Sequence, residues 1–465
     1  MNVPHKSLPN NLALPAVAMP ADGEALRAAY PSSRHFDALF VDQCGRIRGK
    51  RYPIADMAKV LEGGLQIPET IYLLDVTGAM SDPCGRGFED GDPDGHAYAL
   101  AGSLAPALWA EPMRAQALMT MTRNGRPSLV EPRNILRGVL ERFRPLGLKP
   151  IVAFELEFFL IEQKRGASRE PLVARDLGSG EEPIIGNVYE IGELDRFSAI
   201  LQEIERAAHA QDLPITAASK EYAPGQFEIN LTHTDDCPRA ADHSALLRHT
   251  IVSVARKFGK DATFLPKPWT DRAGSGMHVH MSLLDTTGRN VFDDGSTNGS
   301  ALLRNAIGGL AATMGDSMAI FASNLNAYRR YGPNIFTPVN RRWGVNNRST
   351  GLRVPAGESA ARRVEHRVSG ADSNPYLVLA AILAGVHYGL TNKLDPGAPF
   401  EGNASADVDP TLPLDIDRAL EVFQASVLMR DYFGADYVDL YAETKRGELM
   451  TFRSVISRQE YDWYL

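Results

Sequence analysis

Four short segments of this 465-residue chain carry carboxylates and imidazoles at spacings that fit chemistry. In "AGSGMHVHMSL", residues 273–283, His278 and His280 stand two apart behind a glycine-rich turn. An extended chain points both rings to one face and Met277, Val279 and Met281 to the other. In "FELEFFL", Glu155 and Glu157 share a face in the same way, among Phe154, Leu156 and Phe158. Two like charges on one face of an apolar strand are costly unless a cation neutralises them; salt bridges to arginine are the alternative. "KEYAPGQFEINL" sets Glu221 and Glu228 on either side of a Pro224-Gly225 bend that can return both to one place, with Asn230 on the face of Glu228. "RRVEHRVSGADSNPY" puts Glu365 and Arg367 on one face, Arg363 two residues before, and turns His366 away into packing.

Five carboxylates with one or two imidazoles form an oxygen-rich donor set. It suits hard octahedral cations such as magnesium or manganese, not zinc. Split into two groups, it makes a two-metal centre of the kind that serves phosphoryl transfer. The complementary anion-binding groups lie between Tyr328 and Arg353, where Arg329, Arg330, Arg341, Arg342, Arg348 and Arg353 are interleaved with Gly, Pro and Asn. Arginine binds carboxylate and phosphate bidentately, so an acidic substrate plus ATP is the economical reading, with a basic surface stripe as the alternative. The formal net charge of −8 favours the former and argues against a nucleic-acid partner.

Strands must hold these groups, and the sequence supplies them. From Pro150 onward strands alternate with helices: "IVAFELEFFLIE", the helix "RFSAILQEIERAAHAQ", "EYAPGQFEINL", the helix "ADHSALLRHTIVSVARKFG", then "GSGMHVHMSLL". That order predicts a sheet with helices packed on it. Upstream, 36–56 reads as two strands around a turn, "MAKVLEGGL" as a helix and "TIYLLDVTG" as a strand; the Asp/Gly/Pro-rich stretch 81–95 reads as a solvated loop. An amphipathic helix over 131–148 opens the second region. The first thirty residues, broken by Pro15 and Pro20, read as a loosely ordered arm, not an export signal. The apolar run from Pro375 is too short for a bilayer and reads as a buried helix in the core or at a subunit contact. Three widely spaced cysteines outside any CxxC fit a reduced, cytoplasmic setting, and no membrane partner is expected.

"FELEFFL", "EYAPGQFEINL", "GSGMHVHMSL", "NRSTGLRVP" and "RRVEHRVSGADSNPYL" resemble the signature segments of the glutamine synthetase family, in that family's order, from about Phe36 to Leu465. The resemblance implies an α+β architecture: an arm over 1–33, a β-grasp domain over 34–129, and over 132–465 a catalytic domain built on a curved antiparallel sheet with packed helices. It implies a homo-oligomer, a dodecamer of two hexameric rings, with active sites between neighbouring subunits. It also implies a reaction in which glutamate and ATP form γ-glutamyl phosphate and an amine displaces the phosphate. Carried over by motif position, Glu157, Glu221 and Glu228 match the ligands of a first metal, and Glu155, His278 and Glu365 those of a second on the ATP phosphates. His280 and Ser282 match nucleotide contacts, as Arg353 and Arg363 match phosphate contacts. Gly274, Arg330, Arg348 and Arg367 match contacts to glutamate or the transferring phosphoryl group.

The chain departs from the family at informative places. "GPNIFTP" puts Phe336 where glutamine synthetases carry a flap glutamate that helps deprotonate ammonium, and an aromatic ring there favours an alkyl amine. Asp75 in "LLDVTG" matches the other ammonium-side carboxylate; it or Glu221 must then serve as base. Ala273 stands where the family has Asn, and "NKLDPGAPFEGNAS" lacks the tyrosine that many bacterial members adenylylate. These features resemble the branch that glutamylates putrescine, polyamines or monoamines. The rivals are an ordinary ammonia-using glutamine synthetase and a non-catalytic relative.

Overall fold

The computed structural model describes residues 12–183, 186–296 and 299–465. Two sheets organise them. The first takes its strands from β1 (His35–Val41), β2 (Ile47–Pro53), β3 (Leu65–Pro68), β4 (Asp94–Ala99), β5 (Ala105–Ala107), β6 (Arg114–Arg123) and β7 (Arg126–Pro127). Its order is β2-β1-β6-β4-β3, with β5 and β7 also paired to β6; β1 and β6 run parallel and the other pairs antiparallel. Alternation gives β1 two apolar faces. Phe36, Ala38 and Phe40 join a small core with the helix Met57–Gly63, while Leu39 and Val41 join the main core.

The second sheet holds β8 (Lys149–Glu162), β9 (Ile215–Lys220), β10 (Gln226–Leu231), β11 (Lys260–Thr263), β12 (Met277–Leu284), β13 (Trp343–Val345), β14 (Leu352–Val354) and β15 (Val364–His366). The order is β13-β14-β15-β12-β8-β10-β9, with β11 paired to β8, all antiparallel except β13 with β14. Val152, Phe154, Leu156 and Phe158 of β8, Phe227, Ile229 and Leu231 of β10, and Met277, Val279, Met281 and Leu283 of β12 enter the main core. The helices Cys237–Lys257, Ala301–Phe321 and Pro375–Asn392 contribute to that core. Burying one face of these strands leaves the alternate residues, including every acidic and imidazole side chain singled out above on β8, β10 and β12, on the other face. The run from Pro375 is the expected buried helix. Asn374 caps it by accepting from the N–H groups of Tyr376 and Leu377 (2.9 and 3.1 Å), and donates through Nδ2 to the Asp42 carbonyl at 2.7 Å.

Three local expectations are corrected. "TIYLLDVTG" is not a strand: β3 ends at Pro68, Glu69–Tyr72 form a 3-10 turn, and the chain then folds around Asp75. Asp75 Oδ1 accepts from Thr77 N–H (2.8 Å), Thr77 Oγ1 (2.7 Å) and Ala79 N–H (2.9 Å), a side-chain-centred turn that outcompetes β-propensity. The helix expected over 131–148 ends at Leu140, with a separate turn at Arg144–Leu146 whose Pro145 cannot continue a helix. The described part of the arm is also structured. Pro20–Ala29 form a helix whose Gly23 and Leu26 are buried, and Ala18 N–H donates to the Ala99 carbonyl (2.8 Å). Residues 1–11 lie outside the described residues.

Candidate active site

Strand register assembles the site. Across β8 and β12, Glu155 pairs with His278; across β8 and β10, Glu157 pairs with Glu228 and Glu155 with Asn230. Across β12, β15 and β14, His280 pairs with Glu365 and Glu365 with Arg353. Directly opposed residues lie on the same face, so five carboxylate and imidazole side chains separated by up to 210 positions converge without any loop needing to place them.

Their donor atoms fall into two groups, each within 4.8 Å: Glu155, His278 and Glu365, and Glu157, Glu228 and His278. The first is the set matched to the second metal. The second holds two of the three residues matched to the first metal, with His278 facing them from between; Glu221 is not in it. His278 Nδ1 lies 3.3 Å from Glu155 Oε2 and 3.8 Å from Glu365 Oε1, and its Nε2 lies 3.8 Å from Glu157 Oε1. Glu221 heads the connection between β9 and β10, its N–H donating to the Gln226 carbonyl at 2.9 Å, and its charge interacts with that of Glu157.

The electrostatics fit a cation. Burial, then the charges of Glu155, Glu157 and Glu221, push the Glu228 carboxyl up to about 9; burial and Glu157 push Glu221 up to about 7. Burial and mutual repulsion resist ionisation of these carboxyls, and a divalent cation would supply the counter-charge that favours it. At the other end the carboxylates already have partners. Against the effect of burial, His278 and His280 hold Glu155 well below the usual carboxylate range, and Arg367 with both histidines holds Glu365 down at about 2. Glu365 also accepts from Arg353 Nη1 at 2.7 Å, and Arg367 Nη1 hydrogen-bonds it from the other side. The salt bridge to arginine weighed for Glu155 and Glu157 is not made among the described residues: their charged partners are His278 and His280, while Arg353 and Arg367 pair with Glu365.

Several of the residues expected to bind anions border this cluster. His280 Nε2 lies 2.8 Å from Glu155 Oε1, while its Nδ1 accepts from Arg363 Nε at 3.1 Å. Ser282 follows on the same face, buried like His280. The Nε atoms of Arg353 and Arg367 are buried without a partner among the described residues, a feature that suits guanidinium groups facing an anion. Arg330 is buried and donates through Nη1 to the Val368 carbonyl (2.9 Å), its stem against Gly274. Arg348 is exposed, and its charge acts on Glu221. The arginine run divides: Arg341 and Arg342 pair with Asp409 (3.4 Å) and Asp407 (2.7 Å), outside the cluster. His366 packs beside Phe321, ring centroids 4.5 Å apart, as expected.

Two matched residues stand apart. Phe336 is 67% exposed, next to an exposed Ile335, in a segment with no carboxylate between Gly332 and Pro338. Asp75 spends its carboxylate on its own turn, and among the described residues no hydrogen bond or ion pair ties it to the cluster. Sequence reasoning missed Gln226, which shares the face of Glu228 and donates through Nε2 to the Gly274 carbonyl (3.0 Å); strand alternation could have found it. It also missed Asn346, which accepts from Arg353 Nη2 at 3.1 Å, and the buried Lys220, for which no sequence signal exists.

Residues 129–464 match the profile of the glutamine synthetase catalytic domain, and the chain belongs to the glutamine synthetase family. Within it, the chain aligns almost end to end with ligases that act on amines. It is 38% identical over 437 residues to γ-glutamylputrescine synthetase PuuA of Escherichia coli K12, covering 94% of this chain and 92% of that one. It is 32% identical over 434 residues to glutamate–isopropylamine ligase of a Pseudomonas species, covering 91% and 93%. A solved structure of GmaS in complex with ADP superposes with a TM-score of 0.81 at 25% identity, covering 95% of this chain and 98% of that one.

Proposed function

We propose that this protein is an ATP-dependent ligase that joins the γ-carboxylate of glutamate to the nitrogen of an alkyl amine such as putrescine, a polyamine or a monoamine. The observation that carries the choice of nucleophile is the segment Gly332–Pro338, which presents exposed Ile335 and Phe336 and no carboxylate, in a chain that also assembles the acid, imidazole and arginine cluster. The named relatives that join glutamate to amines support it.

In the proposed reaction a γ-carboxylate oxygen of glutamate attacks the γ-phosphorus of ATP, ADP leaves, and the amine nitrogen then attacks the acyl carbon of γ-glutamyl phosphate and expels phosphate. Glu155, His278 and Glu365 would hold one divalent cation, and Glu157, Glu221 and Glu228 another, magnesium or manganese by the hardness of the donors. Bound there, such ions neutralise charge on the transferring phosphoryl group. Arg353 and Arg363, with His280 and Ser282, hold the nucleotide; Gly274 and Arg330 hold glutamate; Arg348 and Arg367 stabilise charge on the phosphoryl group. The amine arrives as a cation, and its proton passes to a carboxylate. Asp75 is committed to its turn, so within one chain Glu221 takes this role, while Asp75 would serve only from a neighbouring subunit of a ring-built dodecamer. Exposed Val455, Ile456, Trp463 and Leu465 at the C-terminal end support such an assembly. No helix among the described residues is long and apolar enough to cross a membrane, and a cytoplasmic enzyme is the reading we adopt.

The test is phosphate release from ATP and glutamate with ammonium, ethylamine, putrescine and spermidine as alternative nucleophiles. Four buried methylenes contribute about 3 kcal/mol. That offsets a lost hydrogen bond to a charged group of about 1.5–3 kcal/mol. Ammonium lacks the same flap carboxylate and buries no methylene, so putrescine, with four methylenes, should exceed it in kcat/KM by about 100-fold, or about 2.7 kcal/mol. Equal or better use of ammonium would restore an ordinary glutamine synthetase, and no turnover with any amine would make the protein a non-catalytic relative.

A further inference from the structure

Five of the six residues assigned above to metal binding sit on strands, where ladder register holds them. Glu221 does not: it begins the connection between β9 and β10, and one hydrogen bond to Gln226 is all the ladder offers it. Behind that connection lies a fully buried ammonium. Lys220 is 0% exposed, and its Nζ donates to the Ala223 carbonyl at 2.7 Å and to the Glu221 carbonyl. Glu193, buried on the helix Ile191–Arg196, places Oε2 3.7 Å from that ammonium and accepts from the Gly225 N–H through Oε1 at 2.8 Å. The pair therefore grips the connection at three of its backbone groups, the carbonyls of 221 and 223 and the amide of 225. Gly225, at φ +70°, turns its amide towards Glu193 in a left-handed conformation suited to glycine.

Burying a lysine–glutamate pair is expensive, and replacing such a pair with apolar residues is often neutral or stabilising. Stability alone gives little reason for one here; control of a backbone does. We propose that Lys220 and Glu193 are positioning residues that fix the Glu221 backbone, so that its carboxylate completes the cation site formed with Glu157 and Glu228. The pair also couples the helix Ile191–Arg196 to that site. This inference rests on the metal assignment made above but not on the identity of the amine.

Manganese titration followed by electron paramagnetic resonance tests it without turnover, on the full chain. The variants are Lys220→Met, the charge-balanced Lys220→Met/Glu193→Gln, and Lys220→Arg. Lys220→Met leaves Glu193 buried without its partner and is the one at risk of misfolding; the double variant removes both charges and keeps an acceptor for Gly225. Losing an outer residue that orients a ligand costs about 10–100-fold in metal affinity. The double variant should therefore weaken one class of manganese site by at least about 10-fold. ADP affinity, which depends on the Glu155, His278 and Glu365 side, should be unchanged, and Lys220→Arg should recover part of the loss. Wild-type manganese affinity in the double variant would overturn the proposal, as would equal weakening of manganese and ADP binding. If the amine-ligase reading fails, the wild type uses ammonium at least as well as any alkyl amine or releases no phosphate with any amine, a result independent of these titrations.

Discussion

Replacing Gly274 by alanine should cost glutamate recognition as well as the fold. A Cβ at this position would fall 2.5 Å from Arg330 Cγ and 2.6 Å from the Pro266 carbonyl oxygen. Neither neighbour can swing away. The Pro266 carbonyl is backbone and accepts from Ser275 N–H at 2.8 Å, while Cγ belongs to the stem of an arginine that is only 4% exposed and tied by Nη1 to Val368. Reaching an ordinary contact of 3.4 Å means opening the gap by 0.8–0.9 Å, the difference between that distance and the two clashes. Overpacking of this kind costs about 1–3 kcal/mol of stability. The loss at the site is of similar size and is read directly in the rate, since a misplacement of about 1 Å between binding groups lowers rate about 100-fold.

The assay is steady-state phosphate release with glutamate varied at saturating ATP and amine, with ADP affinity measured alongside. The expected outcome is a fall of about 100-fold, or about 2.7 kcal/mol, in kcat/KM for glutamate, with ADP binding unchanged. Gly276→Ala is the companion: its Cβ would meet Arg330 Nη2 at 2.8 Å and His278 Nε2 at 3.0 Å, both side-chain ends, so it should disturb glutamate and cation binding together. A Gly274→Ala enzyme with wild-type kcat/KM for glutamate would refute the placement of Gly274 and Arg330 at the substrate.

Exhaustive chelation should abolish turnover, and Glu157→Ala should nearly do so, because its Oε2 anchors the Gly276 amide at 2.7 Å as well as contributing to the cation cluster; full turnover after chelation would refute the metal assignment. Phe336→Glu should shift kcat/KM back towards ammonium, measured as the ammonium-to-putrescine ratio, and an unchanged ratio would remove the flap from nucleophile selection. Burial pushes His243 and His249 down to about 4, so between pH 6.5 and 4 the unfolded chain binds more protons than the native one and stability falls as pH drops. Each should contribute a slope of up to about 1.4 kcal/mol per pH unit in urea unfolding, and His249→Phe, which keeps a ring against Trp109, should remove one of them.

Much of the second sheet was legible because one property, the two-residue period of a strand, wrote both its core and its site. Phe154, Leu156 and Phe158 could only face a core, so Glu155 and Glu157 had to face away from it, and the same holds for His278 and His280 between Met277, Val279 and Met281. Where a segment is governed by a single side chain's hydrogen bonds, the periodicity misleads. "TIYLL" has the composition of a strand, yet three donors converge on Asp75 Oδ1 just downstream and the chain turns. The N-terminal arm hid its helix for a related reason: its order comes from docking onto Ala99 and the helix Met57–Gly63, a tertiary contact that no window of local sequence contains.

The site shows the same boundary more sharply. Alternation says which residues share a face but not which face meets which, so the grouping of Glu155 with His278 and Glu365 came from motif resemblance, while its pairing with His280 and with Asn230's strand emerges only from register. Residues that act on a loop escape both routes. Glu221 was placed by a motif, but the ammonium and carboxylate that hold its backbone come from adjacent sequence and from a helix 28 residues upstream, and nothing in "ITAASK" or "IGELDR" marks them. In the proposed pair of cation sites, five ligands are held by register and one by a loop, so the site of Glu157, Glu228 and Glu221 has one adjustable member. Its geometry can be tuned without touching the sheet, by altering the grip of Lys220 and Glu193 on the connection that carries Glu221.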